Sequence, residues 1–222
     1  GEEENPADVF NLAYVQLQSG HTERAVPLFQ QVLEMDPDYY AAYYALGHAY
    51  TLLERNEEAY ATYEAGIRRD AYNKELYVAI GKVALKIGKE NEAVEYLQEA
   101  LALDPEYLDA LITLTGIYER QENDTSLIDV LSSPHVLLTP DLTFALARAY
   151  NRQEMYDKAR EQFEKVAPIL EDDVPFLNAY ATFLREDGDR IQALHVAKRL
   201  VTLDETAYDW QEWIDREELY NE

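Results

Sequence analysis

The chain contains no cysteine among its 222 residues. That excludes a disulfide framework, a thiolate metal site and a cysteine nucleophile, and it fits a reducing compartment. Long apolar runs are missing too, since no stretch approaches the ~20 residues a membrane span needs and no signal-peptide pattern opens the chain. A cytoplasmic setting is the expectation. An initiator Met is also lacking: the chain opens Gly-Glu-Glu-Glu, which reads as an excised piece of a longer protein with Gly1 a cloning remnant. Basic residues are scarce, 19 against 44 acidic ones, for a formal net charge of −25. Nucleic acid and anionic membranes both require a positive footprint, so this balance argues against either as a partner and keeps a large surface soluble.

Catalytic groups are equally thin. The four histidines are scattered, with His21 in an expected turn, His48 and His195 on helices and His135 in an irregular stretch. None forms an i, i+4 ligand pair, and neither a Gly-rich phosphate loop nor a calcium-loop spacing occurs. The acidic pair Asp172-Asp173 falls where one helix gives way to the next, a place where carboxylates complement the helix dipole. No catalytic residue, metal site or cofactor is expected.

What the chain does have is a period. Ala25, Ala59, Ala93, Leu127, Ala159 and Ala193 follow one another at steps of 34, 34, 34, 32 and 34 residues. Ala13, Gly47, Gly81, Thr115, Ala147 and Ala181 keep the same register twelve residues earlier. Two small positions at that spacing let a pair of helix backbones touch, and a fixed period of this length means stacked repeats. Helical stripes agree: Tyr43, Leu46, Gly47 and Tyr50 in a first helix, then Ala59, Tyr63, Gly66 and Ile67 in a second. Asn5 before Pro6 and Thr139 before Pro140 look like N-caps, while Gly20, Gly88 and Gly188 stand where a left-handed turn residue is wanted. Tyrosine is abundant at 18, but Tyr43, Tyr50, Tyr77, Tyr118 and Tyr150 recur at core positions, so abundance by itself is not a binding signal.

When the first small residue is numbered 8 and the second 20, position 11 is Tyr50, Tyr118 and Tyr150 in three units, and position 24 is Phe29, Tyr63, Leu97, Leu131 and Phe163 in the first five. Asp36-Pro37 and Asp104-Pro105 mark turns between units. This pattern resembles the tetratricopeptide repeat over nearly the whole chain. The resemblance implies an all-α, right-handed α-solenoid of antiparallel helix pairs: one array across residues 1–222, with units at 6–39, 40–73, 74–107, 108–139, 140–173 and 174–207. A terminal helix at 206–220 would cap the last unit, its apolar face built from Trp210, Trp213, Ile214 and Tyr220.

Unit four stands apart. It is two residues short and breaks the small-residue rule at both positions, with Thr115 and Leu127. Ser132-Ser133-Pro134 should end its second helix early and leave residues 135–139 irregular. Such a unit is either harmless drift or a hinge, and a hinge would exchange its amides faster over 123–139 than unit three does.

Helix periodicity of about 100° per residue sets positions 2, 5, 6, 9, 12 and 13 of each first helix opposite the buried stripe. In tetratricopeptide proteins that face lines the concave groove, and the resemblance implies the same here. The candidate partner-binding residues on it are Phe10, Tyr14, Tyr44, His48, Lys82, Lys86, Arg120, Phe144, Arg148, Asn151, Arg152, Asn178 and Arg185. The 36 positions hold six of the 19 basic residues but only five of the 44 acidic ones, so this face escapes the acidity of the rest. Its first two units are aromatic and aliphatic, its later ones basic. The expected function is a non-catalytic scaffold or adaptor holding a protein or peptide with aromatic or aliphatic anchors beside acidic groups. Alternatively, the cations pair with acids on neighbouring helices and only stabilise the stack, or the chain is a regulatory or self-association segment, monomeric or weakly dimeric. Family members that clamp chaperone tails carry Lys and Asn where this chain has Phe10 and Tyr14, so that ligand is not expected.

Overall fold

The computed structural model describes residues 5–219, and the described residues form helices joined by short turns, with no strand among them. Two compact units are formed, residues 1–117 and 118–222. The first contains α1 (Pro6–Gln18), α2 (Thr22–Met35), α3 (Tyr40–Leu52), α4 (Asn56–Arg69), α5 (Lys74–Lys86) and α6 (Glu90–Leu103). The boundary falls inside α7 (Leu108–Arg120), within the repeat that breaks the small-residue rule. The second unit continues with α8 (Asp124–Leu131), α9 (Pro140–Arg152), α10 (Tyr156–Val166), α11 (Val174–Glu186), α12 (Arg190–Leu203) and α13 (Tyr208–Leu219).

The helix ends follow from local chemistry. Asn5 accepts the Ala7 N–H at 3.0 Å and Thr139 Oγ1 accepts the Leu142 N–H at 3.4 Å, each just before a first-turn proline. Asn73, Asn123, Asp173 and Asp189 cap α5, α8, α11 and α12 in the same way, which satisfies backbone donors that a helix start leaves open. The turn inside each helix pair needs one left-handed residue. Glycine supplies it at Gly20, Gly88 and Gly188, and glutamate at Glu54, Glu122 and Glu154.

Within a pair, the small residues permit close approach. A Cβ on Gly47 would run into the Tyr63 ring, and one on Gly81 would stand 3.0 Å from Leu97. Ala13, Ala25, Ala59 and Ala93 are fully buried in the first unit, as are Ala147, Ala159, Ala181 and Ala193 in the second. Between pairs, α2 packs on α3 and α4 on α5. Tyr43, Tyr50, Tyr118 and Tyr150 are buried as expected, whereas Tyr77 is half-exposed against Tyr96.

Unit four behaves as its sequence requires. The second helix, α8, ends after 8 residues at Leu131, against 14 in α2, α4 and α6, and residues 132–139 are turn and coil. The terminal helix runs from Tyr208 to Leu219 and buries Trp210, Trp213 and Ile214; Tyr220 lies outside the described residues.

Candidate protein-binding faces

In the first unit, the residues expected opposite the core converge on a cleft of about 270 Å³ between α3, α5 and the start of α7. Its walls bring together Tyr44, His48, Lys82 and Lys86, which lie apart in sequence but on corresponding faces of consecutive first helices. Tyr44 is 43% exposed and stacks on His48 at 6.5 Å between ring centroids, with the Tyr63 ring tilted against it at 6.1 Å. Tyr107 also lines the cleft. Burial first, then the Glu75 and Asp109 carboxylates, raise its pKa and keep its hydroxyl protonated as a donor.

The two lysines of this cleft differ. Lys82 Nζ donates to Asp109 Oδ2 at 2.9 Å, so its charge is already answered by the next first helix. Lys86 is exposed at the rim and makes no ion pair among the described residues. Further toward the N-terminus, Phe10 packs on Phe29 and Tyr39 at centroid distances of 5.6 and 5.0 Å and leaves Tyr14, stacked on it at 6.2 Å, as the exposed ring. Leu17, Ala45 and Val78 are buried although they belong to the face read as open, because adjacent first helices lie side by side and cover its edges.

In the second unit, most cations of the face are engaged. Arg152 Nε donates to both carboxylate oxygens of Asp124, at 2.9 and 3.0 Å, and Asp124 is only 6% exposed. That bonding raises the guanidinium pKa further above its ordinary value. Arg148 pairs with Glu119 and lies over the Phe144 ring, 4.8 Å from its centroid, while its buried Nε finds no protein acceptor. Phe144 itself packs edge-on against Phe176 at 5.3 Å. Arg185 covers Trp210 at 4.8 Å, and the Trp210 indole donates to Asn178 Oδ1 at 2.6 Å beside a cleft of about 460 Å³. Asn151 is half-buried and Arg120 exposed on the same helical faces.

Lys82, Arg148 and Arg152 each answer an acid on a neighbouring helix. These pairs join residues 27, 29 and 28 positions apart, less than one repeat. They join successive first helices, or a second helix and the next first helix. Sequence reasoning also missed a larger feature, an apolar groove of about 950 Å³ in the second unit. It opens beside α12 where α10 stops after 11 residues near Pro168, with Phe176, Leu177 and Tyr180 among its lining and Ile191 exposed at its edge.

No group of His, Asp and Glu able to hold a metal ion occurs among the described residues, and no described helix is long and apolar enough to cross a membrane. Helix pairs in tandem with open polar and aromatic faces define a helical-repeat protein of the kind that holds other protein chains. Family models agree on which: tetratricopeptide repeat models match residues 16–80 and 74–107, and a model of YpiA-like C-terminal tetratricopeptide repeats matches residues 140–204. The chain belongs to the tetratricopeptide repeat family, whose members mediate protein–protein interactions.

Among curated relatives, it is 36% identical over 217 residues to the TPR repeat-containing protein YpiA of Bacillus subtilis, covering 97% of this chain and 51% of that protein. The chain thus spans about half the length of that relative, and 24% of another, anaphase-promoting complex subunit 3 of Schizosaccharomyces pombe. Among solved structures, the C-terminal part of a TPR repeat-containing protein from Cytophaga hutchinsonii superposes with a TM-score of 0.70 at 18% identity, covering 87% of this chain and 78% of that one. PilF of Pseudomonas aeruginosa gives 0.65 at 20% identity, with 95% and 97% covered. At those identities the likeness is one of fold.

Proposed function

We propose that this chain is a non-catalytic adaptor whose first unit holds a peptide segment in the cleft between α3 and α5. One observation carries the reading: Tyr44, His48, Lys82 and Lys86 line a single cleft, with aromatic surface on one wall and a cation without an acidic partner on the other. The aromatic wall takes an aromatic or aliphatic anchor of the peptide. Lys86 takes an acidic side chain or a C-terminal carboxylate. The acidic remainder of the chain repels acidic proteins that lack the anchor, which adds selectivity. Lys82, Arg148 and Arg152 act first as struts between helices. Within the second unit, taken by itself, Arg185, Asn151 and Asn178 offer polar contacts, as does Arg120 at the end of α7.

Peptide display with both free-C-terminal and internal libraries tests this, followed by fluorescence polarisation on the recovered sequences. The expected consensus pairs a bulky apolar residue with an acid. Its affinity should fall about tenfold or more, equivalent to ~1.4 kcal/mol, on Lys86→Glu or Tyr44→Ala. Circular dichroism confirms folding of both variants, whose side chains are exposed. Recovery of no sequence, or of sequences indifferent to both substitutions, overturns the assignment.

A further inference from the structure

Two side chains of the second unit break the repeat pattern, and both line the groove of about 950 Å³ beside α12. Position 28 is Leu33, Ile67, Leu101 and Val201 in the four repeats whose second helix runs to 14 residues, and each of these side chains is half-buried. In the fifth repeat it is Ala167, and α10 has already stopped at Val166. A space that a helical turn and its aliphatic side chain fill elsewhere is therefore open here. Position 18 is polar and exposed as Glu23, Glu57, Asn91, Thr125 and Asp157 in the first five repeats. In the sixth it is Ile191, 85% exposed. The charge departs as well: α12 carries Arg190, Lys198 and Arg199 and no acid, in a chain of net charge −25. His195 also lines the groove, is exposed and makes no ion pair among the described residues.

We propose that this groove is a docking site for an amphipathic helix of a partner protein, with aliphatic residues along one face and Asp or Glu flanking them. The lining residues from Ile191 to Thr202 follow α12 for about three turns, so a helix laid along them replaces what α10 lacks. Its aliphatic residues take the place beside Ala167 that position 28 fills elsewhere, and they cover Ile191. Its carboxylates meet His195, Lys198 and Arg199. Two of these cations already have acids, Arg199 Nε donating to Asp172 Oδ1 at 3.0 Å and Lys198 Nζ pairing with Glu218 at 2.5 Å. All four of those side chains are about half exposed, and ion pairs in water exchange partners at little cost. Glu171, in the turn before α11, is the acid among the lining residues and keeps the carboxylates of the occupant toward α12. The site is built within the second unit alone and does not depend on the cleft between α3 and α5.

The test displays helical peptides of about 16 residues, ~24 Å of helix, with Leu fixed at i, i+3, i+4 and i+7 and Glu, Gln or Lys allowed elsewhere. They are selected on the whole chain carrying Tyr44→Ala and Lys86→Glu, so that the first-unit cleft takes no part. The expected binders are rich in Glu and poor in Lys. In fluorescence polarisation their affinity should fall about tenfold or more on Ile191→Glu, which restores the residue type of Glu23 and Glu57, and on Ala167→Leu, which refills the space from within. Lys198→Glu should weaken the Glu-bearing peptides and leave their Gln counterparts unchanged. Circular dichroism confirms that each variant is folded. Recovery of no peptide, enrichment of Lys over Glu, or binding that survives either Ile191→Glu or Ala167→Leu overturns the proposal. So does a dimer in light scattering that Ile191→Glu dissolves, since the groove would then belong to a second copy of the chain.

Discussion

The turn inside each helix pair offers a substitution whose effect can be worked out almost entirely from the backbone. Glu54, Glu122 and Glu154 have φ of 58°, 53° and 57°, in the left-handed region occupied by Gly20, Gly88 and Gly188 at 77°, 78° and 88°. The hydrogen bonds do not distinguish the two groups. Arg55 N–H reaches the Tyr50 carbonyl at 2.9 Å just as His21 N–H reaches Gln16 at 2.9 Å, and Glu54 and Gly20 donate to Thr51 and Leu17 at 3.2 and 3.0 Å. Sterics do not distinguish them either, because a Cβ on any of the three glycines would meet no atom within 4 Å. What differs is the left-handed conformation itself, which costs an L-residue about 1–2 kcal/mol. Glycine removes that cost but loses about 0.5–1 kcal/mol to the greater freedom of its unfolded chain. Glu54→Gly should therefore stabilise the first unit by about 0.5–1 kcal/mol, a rise of roughly 1–4 °C for a chain of this size. Urea and thermal unfolding of Glu54→Gly measure it, with Glu54→Gln separating loss of charge from relief of the backbone. A glycine variant no more stable than the glutamine variant, or a Gly20→Ala change without destabilisation, refutes the reasoning.

Gly47→Ala should destabilise the first unit by about 1–3 kcal/mol, because the new methyl meets the Tyr63 ring. Pairing it with Tyr63→Leu, the combination resembling Gly81 and Leu97 of the next repeat, should recover part of the loss in chemical denaturation. Arg152→Ala leaves the Asp124 carboxylate buried without its cation and should cost about 2–4 kcal/mol, whereas the double change with Asp124→Ala costs less than the two losses added together. Burial pushes the Tyr63 phenol up to about 12. Its folded pKa is thus raised above the unfolded value of ~10, so the stability it contributes is complete below pH ~10 and lost as pH rises toward about 12, by ~2–3 kcal/mol. Tyr63→Phe should flatten that alkaline fall by one proton when unfolding free energies are compared between pH 9 and 11.5.

The repeat frame was legible because small residues at two fixed positions report helix contact directly: a Cβ on Gly47 would run into the Tyr63 ring, and one on Gly81 would crowd Leu97. Pro134 and the paired serines before it gave away the short α8 for a similar reason, since proline removes a donor the helix needs. The left-handed glutamates were not legible. Hydrogen bonding imposes the turn geometry there, and the residue type records it only at the three glycine positions. Tyr44, His48, Lys82 and Lys86 could be assigned to one face from periodicity alone, and the cleft brings them together. The state of each charge could not be read the same way, because pairs such as Arg152 with Asp124 depend on the lateral offset between helices. The groove beside α12 stayed hidden because it arises from what α10 lacks, about a turn of helix near Pro168.

The placement of aromatic residues makes the two units optically separate. Both tryptophans, Trp210 and Trp213, sit edge to face in α13 with ring centroids 5.5 Å apart, while residues 1–117 hold 12 of the 18 tyrosines and no tryptophan. Light absorbed by indole alone therefore reports on the end of the second unit, and the perpendicular ring pair adds a near-ultraviolet dichroism that vanishes when α13 detaches. Phenol absorbance and emission are weighted toward the first unit. A single unlabelled sample can thus be followed at two colours, and any delay between them during unfolding shows directly which unit opened first.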